Sequence, residues 1–401
     1  MSNPKSTGLL PKAGASLFYG TTLMTLFAAS AVPTPLYRLY QAEWSLTPGT
    51  VTLVFAIYVV ALLAAVLVAG SLSDYLGRRF MIGSALGLQI AAMGAFLLTD
   101  GPGWLLAARV LQGLAVGTGT SALGAALVDI DARNGPLVNS IAPFIGMACG
   151  ALSSGALVVY APDPLHFVFG VFLAIHATQL ILIRAVPETI ARRPGVLSAM
   201  MPRVTVPRQA RRMMFVITPI NIAIWSVGGV TLSLIPSVVA TATGLQSPLI
   251  GSAVVAALMA SGAAAVFVLR NSGTSRTFLI ATPLLVAGLC ILLAGVHFGA
   301  VSLLGLGMVV GGCGFGASFM TCVRSLLPLA EPQERAELLS AYYVQSYLSL
   351  GLPAVGAGFL AGQIGIVGAI DIFMSIILLL VLTGVATRWL LDRDAGLAEA
   401  G

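Results

Sequence analysis

Between Arg212 and Arg270, and again between Arg276 and Arg324, the chain carries no Asp, Glu, Lys or Arg. Soluble domains cover their surface with about 25% charged residues. Each charge-free gap holds about fifty residues, enough for two membrane helices of about 20 residues and a turn. The turns are legible as TATGLQSP (241–248) and GVHFGA (295–300), rich in Gly, Pro and small polar residues. Over all 401 residues, 58% are hydrophobic and only 8% are charged. Such a chain crosses a membrane many times.

Twelve apolar spans are expected, at 14–35, 50–70, 80–98, 104–127, 138–160, 166–185, 213–239, 248–269, 277–296, 299–322, 338–361 and 365–388. The stretch 189–212 differs, with six arginines and three prolines. It reads as a basic linker between two six-helix halves, 1–188 and 213–401. If both termini lie in the cytoplasm, eighteen of the twenty basic residues lie on that side. Arg38 then lies outside and Arg109 within span 4. Moving the count by one span would erase this asymmetry, so it supports twelve spans, the orientation and an inner cell membrane location. The net charge of +6 is therefore topogenic and set against anionic lipid, not nucleic acid. Lys5 and Lys12 precede an apolar run ending AASAVP and imitate a signal peptide. The many later spans favour an uncleaved first helix.

No chemical engine is visible. Both lysines lie in the first twelve residues, and no phosphate-binding G-x-x-x-x-G-K-[ST] loop occurs. His166, His176 and His297 are scattered, without H-E-x-x-H or G-x-S-x-G. Cys149, Cys290, Cys313 and Cys322 sit in apolar runs without a CxxC pair and read as free packing thiols. No enzyme activity, metal or cofactor is expected, which leaves an ion or substrate gradient as the energy source. Proton coupling needs a titratable group within a span. Asp371 in span 12 and His176 in span 6 are the candidates, although a lone histidine in an apolar helix also fits simple packing.

The halves echo each other. GLAVGTG (113–119) pairs with GMVVGGC (307–313), and GRRFMI (77–82) with SRTFLI (275–280). Duplicated halves are the expected build of a secondary transporter with a midplane site.

GSLSDYLGRRF (70–80) stands at the end of span 2. It resembles the signature loop of the major facilitator superfamily, G-x-L-a-D-r-x-G-r-k, through Gly70, Leu72, Asp74, Gly77, Arg78 and Arg79; Tyr75 departs at a basic position. The resemblance implies an all-α fold of two pseudo-symmetric six-helix bundles that alternate access to a central cavity. It implies that Asp74 meets the N-terminus of span 11 near PQERAELL (332–339), and that Arg78 pairs with Asp129 at the end of span 4. Such ties would hold the outward-open state and break on inward opening. The second-half copy has Ser272 in place of Asp74. RVLQGLAVG (109–117) is similar to the family's fourth-helix motif through Arg109 and Gln112. A charge inside a membrane helix costs about 2.5–3.5 kcal/mol on insertion scales. Arg109 is thus a cavity charge that relays protons or fixes an anion, or else an arginine snorkelling to the outer interface. PET (187–189) is also family-like. GMACGALSSG (146–155) resembles the fifth-helix motif of drug and metabolite antiporters through Gly146, Gly150 and Gly155, but Ala151 replaces its proline and Ser154 a glycine. Close helix packing explains these glycines equally well.

By the same resemblance, spans 1, 4, 7 and 10 line the cavity. Asn221, Trp225 and Ser226 in span 7, with Tyr343, Gln345 and Tyr347 in span 11, are candidate substrate contacts. The PTPLYRLYQ segment (33–41) reads only as a cap on the outer end of span 1. The cavity is short of acids, which disfavours a polycationic cargo. The reading is a monomeric secondary transporter for proton-coupled export of a drug or small metabolite. Proton-coupled uptake and a transporter-like sensor are the alternatives.

Overall fold

The structure, a computed structural model, describes residues 9–191, 194, 204–331 and 333–399. It contains twelve helices long and apolar enough to cross a membrane. They are α1 (Lys12–Trp44), α2 (Pro48–Leu76), α3 (Arg78–Leu97), α4 (Pro102–Ile130), α5 (Gly135–Tyr160) and α6 (Phe167–Leu182). In the second half they are α7 (Arg208–Ser233), α8 (Pro248–Val268), α9 (Thr274–Phe298), α10 (Val301–Leu326), α11 (Arg335–Ile364) and α12 (Ile366–Glu399). Most of the basic linker lies outside the described residues, and α7 begins inside its expected range. An even number of crossings leaves both termini on one side, here termed the near side.

Backbone chemistry sets the helix ends. In lipid every peptide group must find its partner within the helix, and prolines cluster where that demand is weakest. Pro48, Pro102 and Pro248 stand in the first turns of α2, α4 and α8, where the missing N–H has no intrahelical acceptor to lose. Gly299 ends α9 in a left-handed conformation, which a residue without Cβ adopts freely.

The segment 33–41 is not a cap. α1 breaks at Val32 and continues as a second rod, Pro33–Trp44. Pro33 and Pro35 lack the N–H groups that a continuous helix would need. α7 repeats the device: after Leu234 a second rod runs Ile235–Thr243, with Pro236 in its first turn. Both rods stand at the far side.

Packing inside the halves is the same pattern shifted by six helices. α1 packs on α5, α2 on α4, and α3 on α4 and α6; in the second half α7 packs on α11, α8 on α10, and α9 on α10 and α12. Across the halves, α5 packs on α8 and α11 on α2. Close contacts correct the register of the repeat. An ideal Cβ on Gly113 would lie 2.3 Å from the Tyr58 carbonyl, and one on Gly117 2.4 Å from that of Leu62. The matching contacts are Gly312 to Leu258, 2.4 Å, and Gly316 to Gly262, 2.2 Å. Gly113 is therefore the counterpart of Gly312, not of Gly307 as the sequence match suggests. Helix 10 is rich enough in glycine for a false register to score well.

Candidate functional site

At the near side, Gly77 ends α2 with φ +93° and turns the chain into α3. The first N–H groups of α3 carry partial positive charge and no intrahelical acceptor. Glu188 supplies one: its carboxylate accepts from Arg78 N (2.9 Å) and Arg79 N (3.2 Å). A Cβ at Gly77 would lie 2.8 Å from Glu188 Oε2, so both backbone geometry and space require glycine there. The Arg78 guanidinium is buried, contacts Ser73 Oγ, and pairs with Asp74 (2.6 Å) and Asp129 (3.2 Å). Thr189 Oγ1 donates to Asp129 Oδ2 (2.9 Å), and Arg79 Nη2 to the Arg184 carbonyl (3.0 Å). The loop signature, Asp129 and the PET tripeptide are thus one charge cluster. Leu72 is buried beneath it, whereas a Cβ at Gly70 would meet nothing within 4 Å. In the adjoining loop, hydrogen bonds from the Asn134 main chain and side chain hold the Asp131 carboxyl below its usual range.

Neither expected tie bridges the halves among the described residues in this far-closed conformation. The Arg78–Asp129 pair lies within one half and ties nothing across the interface. Asp74 is half-exposed, and its partner is Arg78, not the N-terminus of α11. The physical reason is the conformation. The tight contacts between the halves lie at the far side and at mid-depth, so the near-side acid has no second half to meet.

Far-side closure rests on two small-residue contacts related by the repeat. A Cβ on Gly155 of α5 would lie 2.2 Å from Ser252 Oγ of α8; one on Gly358 of α11 would lie 2.2 Å from Thr52 Oγ1 of α2. The fifth-helix motif is therefore divided. A Cβ on Gly146 would lie 2.2 Å from the Met24 carbonyl of α1 and one on Gly150 2.0 Å from that of Ala28, while Gly155 faces the other half. The second rod of α1 adds a contact between Arg38 Nη2 and Gln246 Oε1.

Arg109 neither snorkels nor faces the cavity in this conformation, because it is fully buried. Its guanidinium donates to the Ser30 carbonyl (3.1 Å), to Gln112 Oε1 (2.5 Å) and to the Tyr37 hydroxyl. It also lies 5.4 Å from the Tyr37 ring centre and 5.1 Å from that of Tyr58. Gln112 Nε2 donates to the Ala29 carbonyl (2.9 Å). The motif thus binds main-chain carbonyls just ahead of the break in α1. Tyr37 and Tyr58 were not expected here; the arginine's need for acceptors was the available signal.

At mid-depth an aromatic cluster joins the halves. Phe144 of α5 meets Phe315 (5.6 Å between ring centres) and Phe319 (6.0 Å) of α10. Trp225 of α7 meets Phe319 (6.2 Å) and Tyr347 of α11 (5.1 Å), and Tyr343 stacks on Tyr347 (5.9 Å). Three expected cavity residues are brought together here. The phenylalanines were missed, although Phe315 and Phe319 share a helix face by their spacing. Asn221 and Gln345 instead bond each other (3.0 Å), with Ser346 and Thr218 completing a polar seam between α7 and α11. Ser226 donates to the Ser349 carbonyl in the same seam (3.1 Å).

Asp371 stands in the second turn of α12. It pairs with His297 at the far-side ends of α12 and α9 (3.0 Å), and both side chains are at least a third exposed. His176 is buried in α6, its Nδ1 2.6 Å from the Phe172 carbonyl; one turn on, Gln179 bonds Thr25 of α1 (3.0 Å).

Two repeated six-helix halves that meet around a mid-membrane cluster define a polytopic membrane transporter. The chain is a transporter, not an enzyme. The Major Facilitator Superfamily profile matches residues 17–270, and the chain belongs to that superfamily. No curated protein sequence matches it. Among solved structures, it is similar to nucleoside transporter NupG, with TM-score 0.70 and 13% identity over 93% of this chain and 99% of that one. The human organic anion transporter MFSD10 (TETRAN) gives 0.67 and 15% over 94% and 100%. A bacterial homolog of the human lysosomal transporter Spinster, in an inward-facing and occupied conformation, gives 0.71 and 13% over 97% and 98%. At these identities the likeness concerns the fold.

Proposed function

We propose that the protein is a proton-coupled exporter of an aromatic or amphipathic small molecule, neutral or anionic, working by alternating access. The observation that carries this reading is the cluster of Phe144, Trp225, Phe315, Phe319, Tyr343 and Tyr347 between the halves. Aromatic side chains from both halves offer a flat, apolar surface to a substrate, and the cluster contains no carboxylate to select a cation. The near side is read as cytoplasmic from the arginine asymmetry. The glycine pattern of α5 supports export. With Asp371 at the far-side surface, His176 is the favoured proton carrier. The solved relatives are named for nucleosides and organic anions, a range compatible with this cargo class.

The test is accumulation of a compound panel in bacteria stripped of their major efflux pumps, with and without a protonophore. Lowered accumulation that the protonophore abolishes and Asp74→Asn slows is the expected result. Raised accumulation would turn the reading to uptake. Absence of both net transport and counterflow would favour a sensor.

A further inference from the structure

The far side distributes its charge unevenly. Four acids stand there: Glu43 at the end of the second rod of α1, Asp100 in the turn between α3 and α4, Asp163 ahead of α6, and Asp371 in α12. Asp371 pairs with His297 in the second half. The other three gather at one cavity of the first half, about 130 Å³ in volume, between the rod, the end of α3 and the α5–α6 turn. Glu43 and Asp100 line it, both exposed, and neither carboxylate has a partner among the described residues. Asp163 is taken up by His166, which also lines the cavity (3.0 Å).

The walls are aromatic. Tyr40 and Trp44 come from successive turns of the rod, and their rings stack 4.8 Å apart with 7° between their planes. Phe96 of α3 adds a third ring, itself stacked on Phe169 (4.4 Å). Tyr40 is only 2% exposed, yet its hydroxyl makes no hydrogen bond with a described residue. Buried polar groups are normally bonded, so a buried hydroxyl left open on a cavity marks a place for a ligand atom. No described lysine or arginine lines the cavity. Arg38, on the same rod, reaches Gln246 of the other half, and Arg109 is held by the Ser30 carbonyl, Gln112 and Tyr37.

We propose that this cavity binds a small alkylammonium group from the far side. The carboxylates of Glu43 and Asp100 balance its charge, one of its N–H groups donates to the Tyr40 hydroxyl oxygen, and its alkyl part rests against the rings. Aromatic faces attract ammonium ions, and a charged donor makes the stronger hydrogen bond. Drug-sized ligands fill about 300–1,000 Å³, so the occupant is compact. Among the described residues no three His, Cys, Asp or Glu side chains converge to hold a metal, and a metal ion would make no use of the rings. The cavity is lined by the first half alone, apart from the aromatic cluster between the halves. Binding is measured without transport, so failure of this site and failure of the export reading are separable.

The test is equilibrium dialysis of labelled propylammonium against the full chain in phosphatidylcholine nanodiscs at low salt. Saturable binding is expected, and neutral propanol should not displace it. Tetramethylammonium, which has no N–H, should compete about tenfold less well than unlabelled propylammonium. Glu43→Gln and Asp100→Asn should each weaken binding about threefold, and Tyr40→Phe about fivefold. Tyr40→Phe keeps the ring and gives up no bond to a described residue, so it keeps the test valid should another variant fold poorly. Asp371→Asn, the far-side acid of the other half, should leave binding unchanged. Adding phosphatidylethanolamine to the nanodiscs separates two sources of the group: competition assigns the site to a lipid headgroup, and no competition assigns it to a soluble amine. Absence of saturable binding, or binding unaffected in the Glu43, Asp100 and Tyr40 variants, would overturn the site. Displacement by magnesium as effective as by unlabelled propylammonium would make it a metal-cation site and overturn the ammonium.

Discussion

The two far-side glycine contacts make a wedge experiment possible. Leucine at Gly155 and at Gly358 would place its first carbon 2.2 Å from Ser252 Oγ and 2.2 Å from Thr52 Oγ1, respectively, where ordinary contact begins near 3.4 Å. Each contact must therefore lengthen by more than 1 Å. Ser252 and Thr52 cannot yield easily, since their hydroxyls are bonded to the Pro248 and Gly49 carbonyls (2.7 and 2.9 Å) in their own helices. Overpacking of this kind costs about 1–3 kcal/mol. The cost falls on the far-closed arrangement alone, because both surfaces separate when the halves part there. One wedge should shift the conformational equilibrium about 5- to 150-fold. The readout is maleimide cross-linking of Arg38→Cys to Gln246→Cys after replacement of the four native cysteines. The Gly155→Leu/Gly358→Leu variant should insert normally, cross-link poorly and transport slowly. Gly150→Leu provides the contrast. Its Cβ would lie 2.0 Å from the Ala28 carbonyl inside one half, so it should lower overall stability without selective loss of the cross-link. Cross-linking of the double variant at the unwedged yield would refute the closure described here.

Other consequences can be checked separately. Arg109→Lys keeps the charge but not the fork, leaving at least one buried acceptor at the α1 break unpaired, at about 1–3 kcal/mol; the Tm should fall, and an unchanged Tm would mean that the knot does not hold the break. Glu188→Gln should cost about 1 kcal/mol as a weakened helix cap and slow transport, measured by Tm and by flux. Asp371→Asn should leave protonophore-sensitive transport intact, whereas loss of proton flux would return that residue to the coupling path.

Much of the architecture was legible because membrane helices are defined locally. Charge-free runs, turn residues and arginine asymmetry needed no knowledge of contacts, and all twelve spans appear as helices. The break in α1 was visible in its prolines, but its continuation as a buried rod was not, since proline marks where a helix stops and not how the chain continues. The loop signature led to Arg78 and Asp129 as partners. It could not show that both belong to one half, or that Glu188 caps α3 from 109 residues away. The glycine repeat was read in the wrong register because glycine carries no side chain by which sequence could tell one close approach from another.

What the sequence by itself determined is the membrane class, the twelve crossings, the duplicated halves and the charge cluster of the signature loop. The first three come from composition and short spacing, because a helix in lipid satisfies its own backbone, and the last from the loop's resemblance to a family signature. Only the tertiary structure decided which faces meet: Arg109 on main-chain carbonyls, Phe144 across the interface, Asp371 at the far-side surface, and Gly155 and Gly358 at the closure. Those outcomes depend on how helices rotate and cross, and residues up to about three hundred positions apart must be placed within ångströms of each other. Without a hydrophobic force between helices in lipid, fine packing sets that arrangement, and it leaves little trace in any single stretch of sequence.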